Sequence, residues 1–158
     1  NQTMRIKYLS IFAAVALLAA CDTTPKDGAG AGGAGQMSVR PGSQEDLAQN
    51  VGDRVFFVTD RSDLTSEARN TLNRQSQWLK TYPQVTITIE GHADERGTRE
   101  YNLALGERRA NAVKNYLIAQ GVQNARVKTI SYGKERPAVL GSDEDAWAQN
   151  RRGVTMVD

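Results

Sequence analysis

The first marked hydrophobic feature of the chain is a short apolar run near its N-terminus. Residues 8–20 carry no charge and follow the basic residues Arg5 and Lys7. A helix needs about 20 apolar residues to cross a bilayer core of ~30 Å, so this run is too short to span a membrane. A basic start followed by such a run is typical of an export signal, and we assign residues 1–20 to a signal peptide.

The segment after this run shows no apolar periodicity. Residues 28–35 read Gly-Ala-Gly-Ala-Gly-Gly-Ala-Gly. A composition this poor in large apolar side chains buries no core and stays flexible. The sequence therefore predicts a flexible linker over residues 21–42.

From residue 43 onward, apolar positions follow the periods of strands and helices. Strict alternation over residues 85–90 predicts a strand with one packed and one solvated face. A β-branched and aromatic run at 54–58 predicts an earlier strand. The remaining predicted elements are strands at 127–132 and 153–157, helices at 66–82 (after a cap at Thr65 or Ser66) and 99–120, and short helices at 44–50 and 144–149.

The two long predicted helices each carry an apolar stripe. The first stripe contains Ala68, Leu72 and Leu79, with Trp78 at its border, and the second contains Leu103, Gly106, Ala110, Val113 and Leu117. Strands and long helices follow the order β-α-β-α-β-β. This order predicts an α/β two-layer sandwich, with the helices on one face of a mixed four-stranded sheet, as one domain over residues 43–158.

Composition excludes several classes of protein. The formal net charge is only +2, and no run of Lys and Arg is longer than two, so nothing indicates nucleic-acid binding. The chain has one Cys and one His. A lone cysteine excludes an internal disulfide and a cysteine-rich metal site. We therefore expect neither a metal nor a cofactor.

The single cysteine, Cys21, directly follows Leu-Ala-Ala at residues 18–20. This arrangement resembles the bacterial lipobox, in which the thiol receives diacylglycerol after cleavage of the signal peptide. One acyl anchor holds a protein to a membrane only marginally. We therefore expect an S-diacylglycerol and an N-palmitoyl group on Cys21. The alternative is an ordinary secretory signal with an incidental cysteine.

The segment between the predicted strand at 85–90 and the helix at 99–120 carries a long motif. Residues 91–110 read GHADERGTREYNLALGERRA. They resemble the peptidoglycan-binding motif of the OmpA-like family, G-H-x-D-x-x-G followed by N-x-x-L and R-A, in the form found in the lipoproteins of the Tol-Pal system. The resemblance extends over residues 53–157. It implies the OmpA-like fold and a domain that binds the cell wall without covalent attachment.

Two charged residues of this motif are the main predicted binding residues. Asp94 follows the end of a strand, where loops often carry function, and Arg109 lies fifteen residues later in a helix. The resemblance implies that the ligand is the meso-diaminopimelate of the peptidoglycan stem peptide. Asp94 would bind its ammonium group, and the planar fork of Arg109 would bind its carboxylate. The alternative is a structural ion pair between Asp94 and Arg109.

The resemblance implies further ligand-binding residues around this pair. They are Asp60, Arg96, Gly97, Asn102 and Leu105. Thr59 stands where relatives often carry an aromatic residue. We expect His92 to pack or hydrogen-bond at the end of its strand, Trp147 to be a packing residue, and Arg151 to be a solvated charge.

Three functions compete at this point. The first is a non-enzymatic wall-binding module on a lipid anchor, and the second is an envelope adaptor that binds TolB and other Tol-system proteins. The third is a peptidoglycan hydrolase with Asp94 and Glu95 as its carboxylates. Adjacent residues on one loop are poorly placed to flank a scissile bond, so we expect no enzyme activity.

The family resemblance also implies a location and a cellular role. It implies the outer membrane, with the domain facing the periplasm, and a part in the Tol-Pal system that supports envelope integrity and cell division. Asp22, directly after Cys21, favours retention in the inner membrane in enteric bacteria. The sequence alone leaves the choice of membrane open.

Overall fold

The computed structural model describes residues 39–158. The predicted signal peptide, Cys21 and the linker up to residue 38 lie outside the described residues. The compact unit begins at Arg40, whose carbonyl accepts hydrogen bonds from Ser43 N at 3.1 Å and Ser43 Oγ at 2.6 Å. Between residues 39 and 158, no helix is long and apolar enough to cross a membrane.

The secondary structure follows the predicted order. In chain order, the elements are α1 (Gln44–Asn50), β1 (Arg54–Phe56), α2 (Ser66–Thr81), β2 (Ile87–His92), α3 (Arg99–Ala119), a 3-10 turn (Asn124–Arg126), β3 (Val127–Gly133), α4 (Glu144–Asn150) and β4 (Arg152–Val157). Thr65 caps α2 as predicted, since its side chain accepts a hydrogen bond from Ala68 N. Thr98 caps α3 in the same way, through Tyr101 N.

The four strands form one mixed sheet in the order β1-β4-β2-β3. Strands β2 and β3 are parallel, whereas β4 is antiparallel to both β1 and β2. A parallel pair needs a crossover connection, which α3 provides. The predicted α/β two-layer sandwich with a mixed four-stranded sheet is therefore confirmed.

The core lies between the sheet and the two long helices. Ile87 and Ile89 of β2 are fully buried in one cluster with Leu72, Leu79 and Leu117. Thr88 and Glu90, on the opposite face of β2, are only partly buried. The alternation in the sequence therefore identified the packed face of β2 correctly.

Three details of the sequence prediction are wrong. Strand β2 begins at Ile87 and ends at His92, two residues later at each end than the predicted 85–90. The first strand ends at Phe56 and does not reach Val58, because the Val58 carbonyl accepts hydrogen bonds from Arg61 N and Arg109 Nη2 instead of pairing with a strand. Leu103 is 49% exposed and does not belong to the packed stripe of α3. The neighbouring side of α3, which carries Asn102 and Arg109, is buried instead. The loop that follows β1 covers this side of the helix.

Helix α3 approaches the sheet closely at two glycines. A Cβ atom added to Gly91 of β2 would lie 1.7 Å from the Gly106 carbonyl oxygen of α3. One added to Gly106 would lie 2.3 Å from Ser131 Oγ and 2.8 Å from the Gly91 oxygen. Both glycines belong to the motif at residues 91–110, and the absence of their side chains lets the backbone of α3 pack directly on β2.

Candidate functional site

A pocket of about 240 Å³ opens at the end of β2, between α3 and the loop that follows β1. Its lining residues are Thr59, Asp60, Asp94, Arg96, Gly97, Tyr101, Asn102, Leu105 and Arg109. The structure thus brings all seven residues predicted to bind the ligand to one pocket.

Arg109 forms the buried end of this pocket. Its guanidinium donates to three main-chain oxygens, those of Arg61 at 2.8 Å, His92 at 2.9 Å and Val58 at 3.0 Å. Burial, and then the charge of Arg151, lowers the pKa of Arg109 to about 10. The group is therefore still cationic near neutral pH. A guanidinium has five N–H donors, so two remain for a ligand.

Asp94 supplies the negative charge of the pocket. Its carboxylate accepts from Arg96 Nε at 3.1 Å, Arg96 Nη2 at 2.9 Å and Arg96 N at 3.0 Å. Arg151 Nη1 adds a longer contact at 3.4 Å. Burial raises the pKa of Asp94, but the bonds from Arg96 and Arg151 outweigh it and hold that pKa below its ordinary value. Asp94 is therefore ionised at neutral pH.

Asp94 and Arg109 do not form the structural ion pair that we considered as the alternative. Among the described residues, Arg109 donates only to main-chain oxygens, and Asp94 pairs with Arg96 and Arg151. Both charges line the same pocket without neutralising each other directly. This leaves a cationic end and an anionic end for one ligand that carries both charges.

The loop that shapes the pocket is fixed by local hydrogen bonds. The side-chain nitrogen of Asn102 donates to Arg96 O at 2.8 Å and Thr98 O at 3.0 Å. Gly97 adopts a φ of +98°, which favours glycine, and Lys134 Nζ binds its carbonyl at 2.6 Å. Asn102 therefore braces the loop with its amide nitrogen.

Comparison with known proteins adds to this geometry. Residues 56–151 match the model of the OmpA family. The chain belongs to the OmpA family. The predicted resemblance is thereby confirmed, and the matched residues include the whole pocket.

Relatives in the OmpA family carry a common name. A peptidoglycan-associated lipoprotein of Agrobacterium fabrum is 59% identical over 128 residues, which are 81% of this chain and 71% of that protein. A second, from Mesorhizobium japonicum, is 52% identical over 151 residues, covering 93% and 90% of the two chains. The crystal structure of the peptidoglycan-associated lipoprotein from Burkholderia pseudomallei superposes with a TM-score of 0.67 at 41% identity, covering 72% of this chain and all of that one.

The sequence prediction missed one residue that lines this pocket, Tyr101, and one that lies behind it, Arg151. Arg151, expected to be a solvated charge, is only 6% exposed and joins Asp94 to Phe57 O and Glu144 through its guanidinium. Tyr101 donates its hydroxyl to Asp60 Oδ1 at 3.1 Å across the pocket mouth. The partners of Arg151 are distant in sequence, so no local pattern indicated its burial, and the only sequence signal for Tyr101 was its place in the motif.

Trp147 is a packing residue, as predicted, and it packs against the pocket residue Arg96. The Arg96 guanidinium lies 4.0 Å from the centre of its ring, and its Nε1 donates to Glu95 Oε2 at 2.9 Å. Arg96 also reaches Thr59 Oγ1 at 3.3 Å. Trp147 and Thr59 therefore help to hold Arg96 over Asp94.

His92 lies at the end of β2 as a buried hydrogen-bonding residue, as predicted. It is 1% exposed, contacts Glu90 Oε1 at 3.1 Å through Nε2, and stacks on Tyr132. Burial, and then the positive charge of Arg152, lowers the pKa of His92 to about 4. Within residues 39–158, no group of three metal-ligating side chains occurs.

The depressed pKa of His92 predicts a loss of stability in mild acid. The pKa falls from 6.5 to about 4 on folding, so between these values the unfolded chain takes up a proton that the folded chain refuses. The free energy of unfolding should be greatest above pH 6.5 and fall by about 3 kcal/mol as the pH drops to about 4. Urea unfolding across this range measures the slope, which His92→Gln should largely remove. An equal slope in the wild type and in His92→Gln would show that His92 does not cause the loss of stability.

Proposed function

We propose that this chain is a lipid-anchored protein of the outer membrane whose domain binds peptidoglycan non-covalently. The ligand group is the diaminopimelate of the stem peptide. The observation that carries the proposal is the pocket with a buried cationic Arg109 at one end and an ionised Asp94 at the other. Family membership and the shared name of the relatives support it.

The two charges suit the ammonium and the carboxylate at one end of a single amino acid. Diaminopimelate carries an ammonium and a carboxylate on the same carbon at the end of its side chain. The two N–H donors that Arg109 retains bind the carboxylate, and Asp94 binds the ammonium. Arg96 now holds Asp94, but its side chain is 39% exposed. It can therefore move aside for the ammonium, whereas the buried Arg151 stays in place.

The remaining pocket residues complete the site. Leu105, 2% exposed, gives the methylene groups of the ligand an apolar contact. Asp60, fixed by Tyr101, adds a second carboxylate near the ammonium. The main-chain N–H groups around Gly97 add donors near the start of α3, and Asn102 keeps the loop in shape.

The anchor and the partners belong to the same proposal. Cys21 carries diacylglycerol and palmitoyl groups and fixes the chain to the outer membrane, and the domain binds the wall in the periplasm. The chain thereby holds membrane and wall together as part of the Tol-Pal system, with TolB and other Tol proteins as partners, and so supports envelope integrity and cell division. It binds no nucleic acid.

The proposed role is binding without catalysis. A glycosidase needs one carboxyl group with a raised pKa to act as general acid. Hydrogen bonds from Ser142 and Trp147 hold the pKa of Glu95 below its ordinary value, and the pKa of Asp94 is also lowered. Neither carboxyl group is suited to donate a proton at neutral pH.

Replacing Asp94 by asparagine tests the ammonium contact. Calorimetry with a diaminopimelate-containing muropeptide should show affinity at least about tenfold weaker, a loss of ~1.4 kcal/mol, because a buried charge-assisted contact is lost. A muropeptide with lysine in place of diaminopimelate retains the ammonium. The affinity of Asp94→Asn for this muropeptide should therefore fall below that of the wild type by a similar factor. Asp63→Asn, at an exposed carboxylate paired with Arg61, is the matched control. Unchanged affinity of Asp94→Asn would remove Asp94 from the site.

A further inference from the structure

The side chain of Arg96 holds the same carboxylate that the proposed ligand would use. Its Nε lies 3.1 Å from Asp94 Oδ1, and its Nη2 lies 2.9 Å from Asp94 Oδ2. Such two-point pairs are among the stronger hydrogen-bonded ion pairs. Both residues line the pocket. The guanidinium of Arg96 therefore lies where the ammonium of a ligand would have to bind.

Two further contacts hold the guanidinium of Arg96 over Asp94. Its central carbon lies 4.0 Å from the centre of the Trp147 ring, a distance at which a cation is attracted to the face of an aromatic ring. Its Nη2 also lies 3.3 Å from Thr59 Oγ1. These contacts favour the conformation in which Arg96 covers Asp94.

Of the two arginines that contact Asp94, Arg96 is the one that can move. The side chain of Arg96 is 39% exposed, whereas that of Arg151 is 8% exposed. Arg151 also donates to Phe57 O and to Glu144 Oε2, each at 2.8 Å. These bonds keep Arg151 in place, so it can neither leave Asp94 nor take over the position of Arg96.

We propose that Arg96 competes with the ammonium of the ligand for Asp94 and is not itself a ligand-binding group. The ammonium has to take the carboxylate from Arg96, so the net gain from its contact is the difference between two charge-assisted interactions. The carboxylate contact with Arg109 must then supply a larger share of the affinity, and an ammonium by itself binds poorly. This proposal rests on the function proposed above. It gives Arg96 a role other than the ligand contact that the family resemblance implies.

The variant Arg96→Gln removes the competing charge and leaves the main chain of the loop in place. The hydrogen bond from Arg96 N to Asp94 Oδ1, at 3.0 Å, does not involve the side chain of Arg96. Asn102 braces the loop through Arg96 O and Thr98 O, which are also main-chain atoms. Asp94 should therefore keep its orientation in the variant. Circular dichroism and urea unfolding check that the variant is folded.

Calorimetry on the full chain, with the diaminopimelate muropeptide and with its lysine counterpart, measures the competition. Arg96→Gln should bind both ligands at least about threefold more tightly than the wild type, because binding no longer requires the two-point ion pair to break. The factor should be similar for both ligands, since both carry the ammonium.

Arg99→Gln is the matched control for the loss of one positive charge. Arg99 lies three residues after Arg96, is 76% exposed, and pairs with Glu135 at 3.2 Å instead of with Asp94. This variant should change either affinity by less than about twofold.

The fluorescence of Trp147 reports whether Arg96 moves. The Arg96 guanidinium lies over its ring, so displacement of Arg96 should change the emission of the wild type when muropeptide binds. Trp78 is buried in the core and should contribute no change. The change should be absent from Arg96→Gln and from Trp147→Phe. A wild-type emission that stays constant on binding would overturn the displacement of Arg96.

Weaker or unchanged binding of the diaminopimelate muropeptide by folded Arg96→Gln would overturn the proposal, and so would an increase for only one of the two ligands. If Asp94→Asn loses affinity in the same experiment, the diaminopimelate site stands and only the role of Arg96 is removed. Failure of both the wild type and Arg96→Gln to bind either muropeptide would overturn the proposed function, and the competition with it.

Discussion

Replacing Arg109 by methionine is expected to abolish binding of the diaminopimelate muropeptide and to lower the free energy of unfolding by about 3 kcal/mol. Methionine fills much of the same space but donates no hydrogen bonds. The carbonyls of Val58, Arg61 and His92, which Arg109 now joins, would lose their partner. Calorimetry and urea unfolding measure the two effects separately.

A lysine at the same position separates recognition from structure. Arg109→Lys keeps the positive charge, but an ammonium lacks the fork that binds a carboxylate at two points. We expect the wild type to prefer the diaminopimelate muropeptide over its lysine counterpart, which lacks the distal carboxylate. Folded Arg109→Lys should lose most of this preference. Arg108→Met, at the exposed neighbouring position, is the matched control.

A preference that survives in Arg109→Lys would contradict the carboxylate contact. Arg109 would then be only a structural link between the loop after β1 and the end of β2. The stability loss in Arg109→Met would still be expected, because the three main-chain contacts are present without any ligand. The ligand preference and the free energy of unfolding therefore test two separate predictions, and either can be contradicted without the other.

The alanine substitution at Gly91 is expected to prevent folding. The added methyl group would lie 1.7 Å from the Gly106 oxygen, and the neighbouring Gly106 carbon would be 2.6 Å away. Both atoms belong to the backbone of α3, so no side-chain rotation relieves the clash. Helix α3 would have to move off the sheet, at a cost of about 4 kcal/mol or more. Circular dichroism and urea unfolding of the purified variant measure the outcome.

Gly153 provides the matched control for that substitution. A methyl group there would lie 3.2 Å from Val113 Cγ2 and 3.4 Å from Phe57 Cε2. These are side-chain atoms that can shift by a few tenths of an ångström, so Gly153→Ala should fold and lose only about 1 kcal/mol. If Gly91→Ala is as stable as Gly153→Ala, α3 and β2 are farther apart at Gly91 and Gly106 than in the structure.

The sequence by itself determined the order of the elements and most of the residues that line the pocket. The alternation in β2, the apolar spacing of Leu72 and Leu79, and the cap at Thr65 are local patterns, because strand and helix periods are set by the backbone. Asp94 and Arg109 were identified by a different route, the resemblance of one continuous motif to that of a known family. The fold followed from the order of the elements, because few connections of a β-α-β-α-β-β chain are physically acceptable.

Only the tertiary structure decided what these residues contact. Arg109 binds Val58 and Arg61, which are 51 and 48 residues away, and Arg151 reaches Asp94 across 57 residues. Leu103 was assigned to the core from its spacing, yet it is half exposed. Periodicity describes one segment at a time, whereas the burial of a polar flank and the partner of a charge depend on which distant loop packs over it. For that reason the sequence identified Asp94 and Arg109 as the two charges of the pocket, and only the fold showed that they do not form an ion pair with each other.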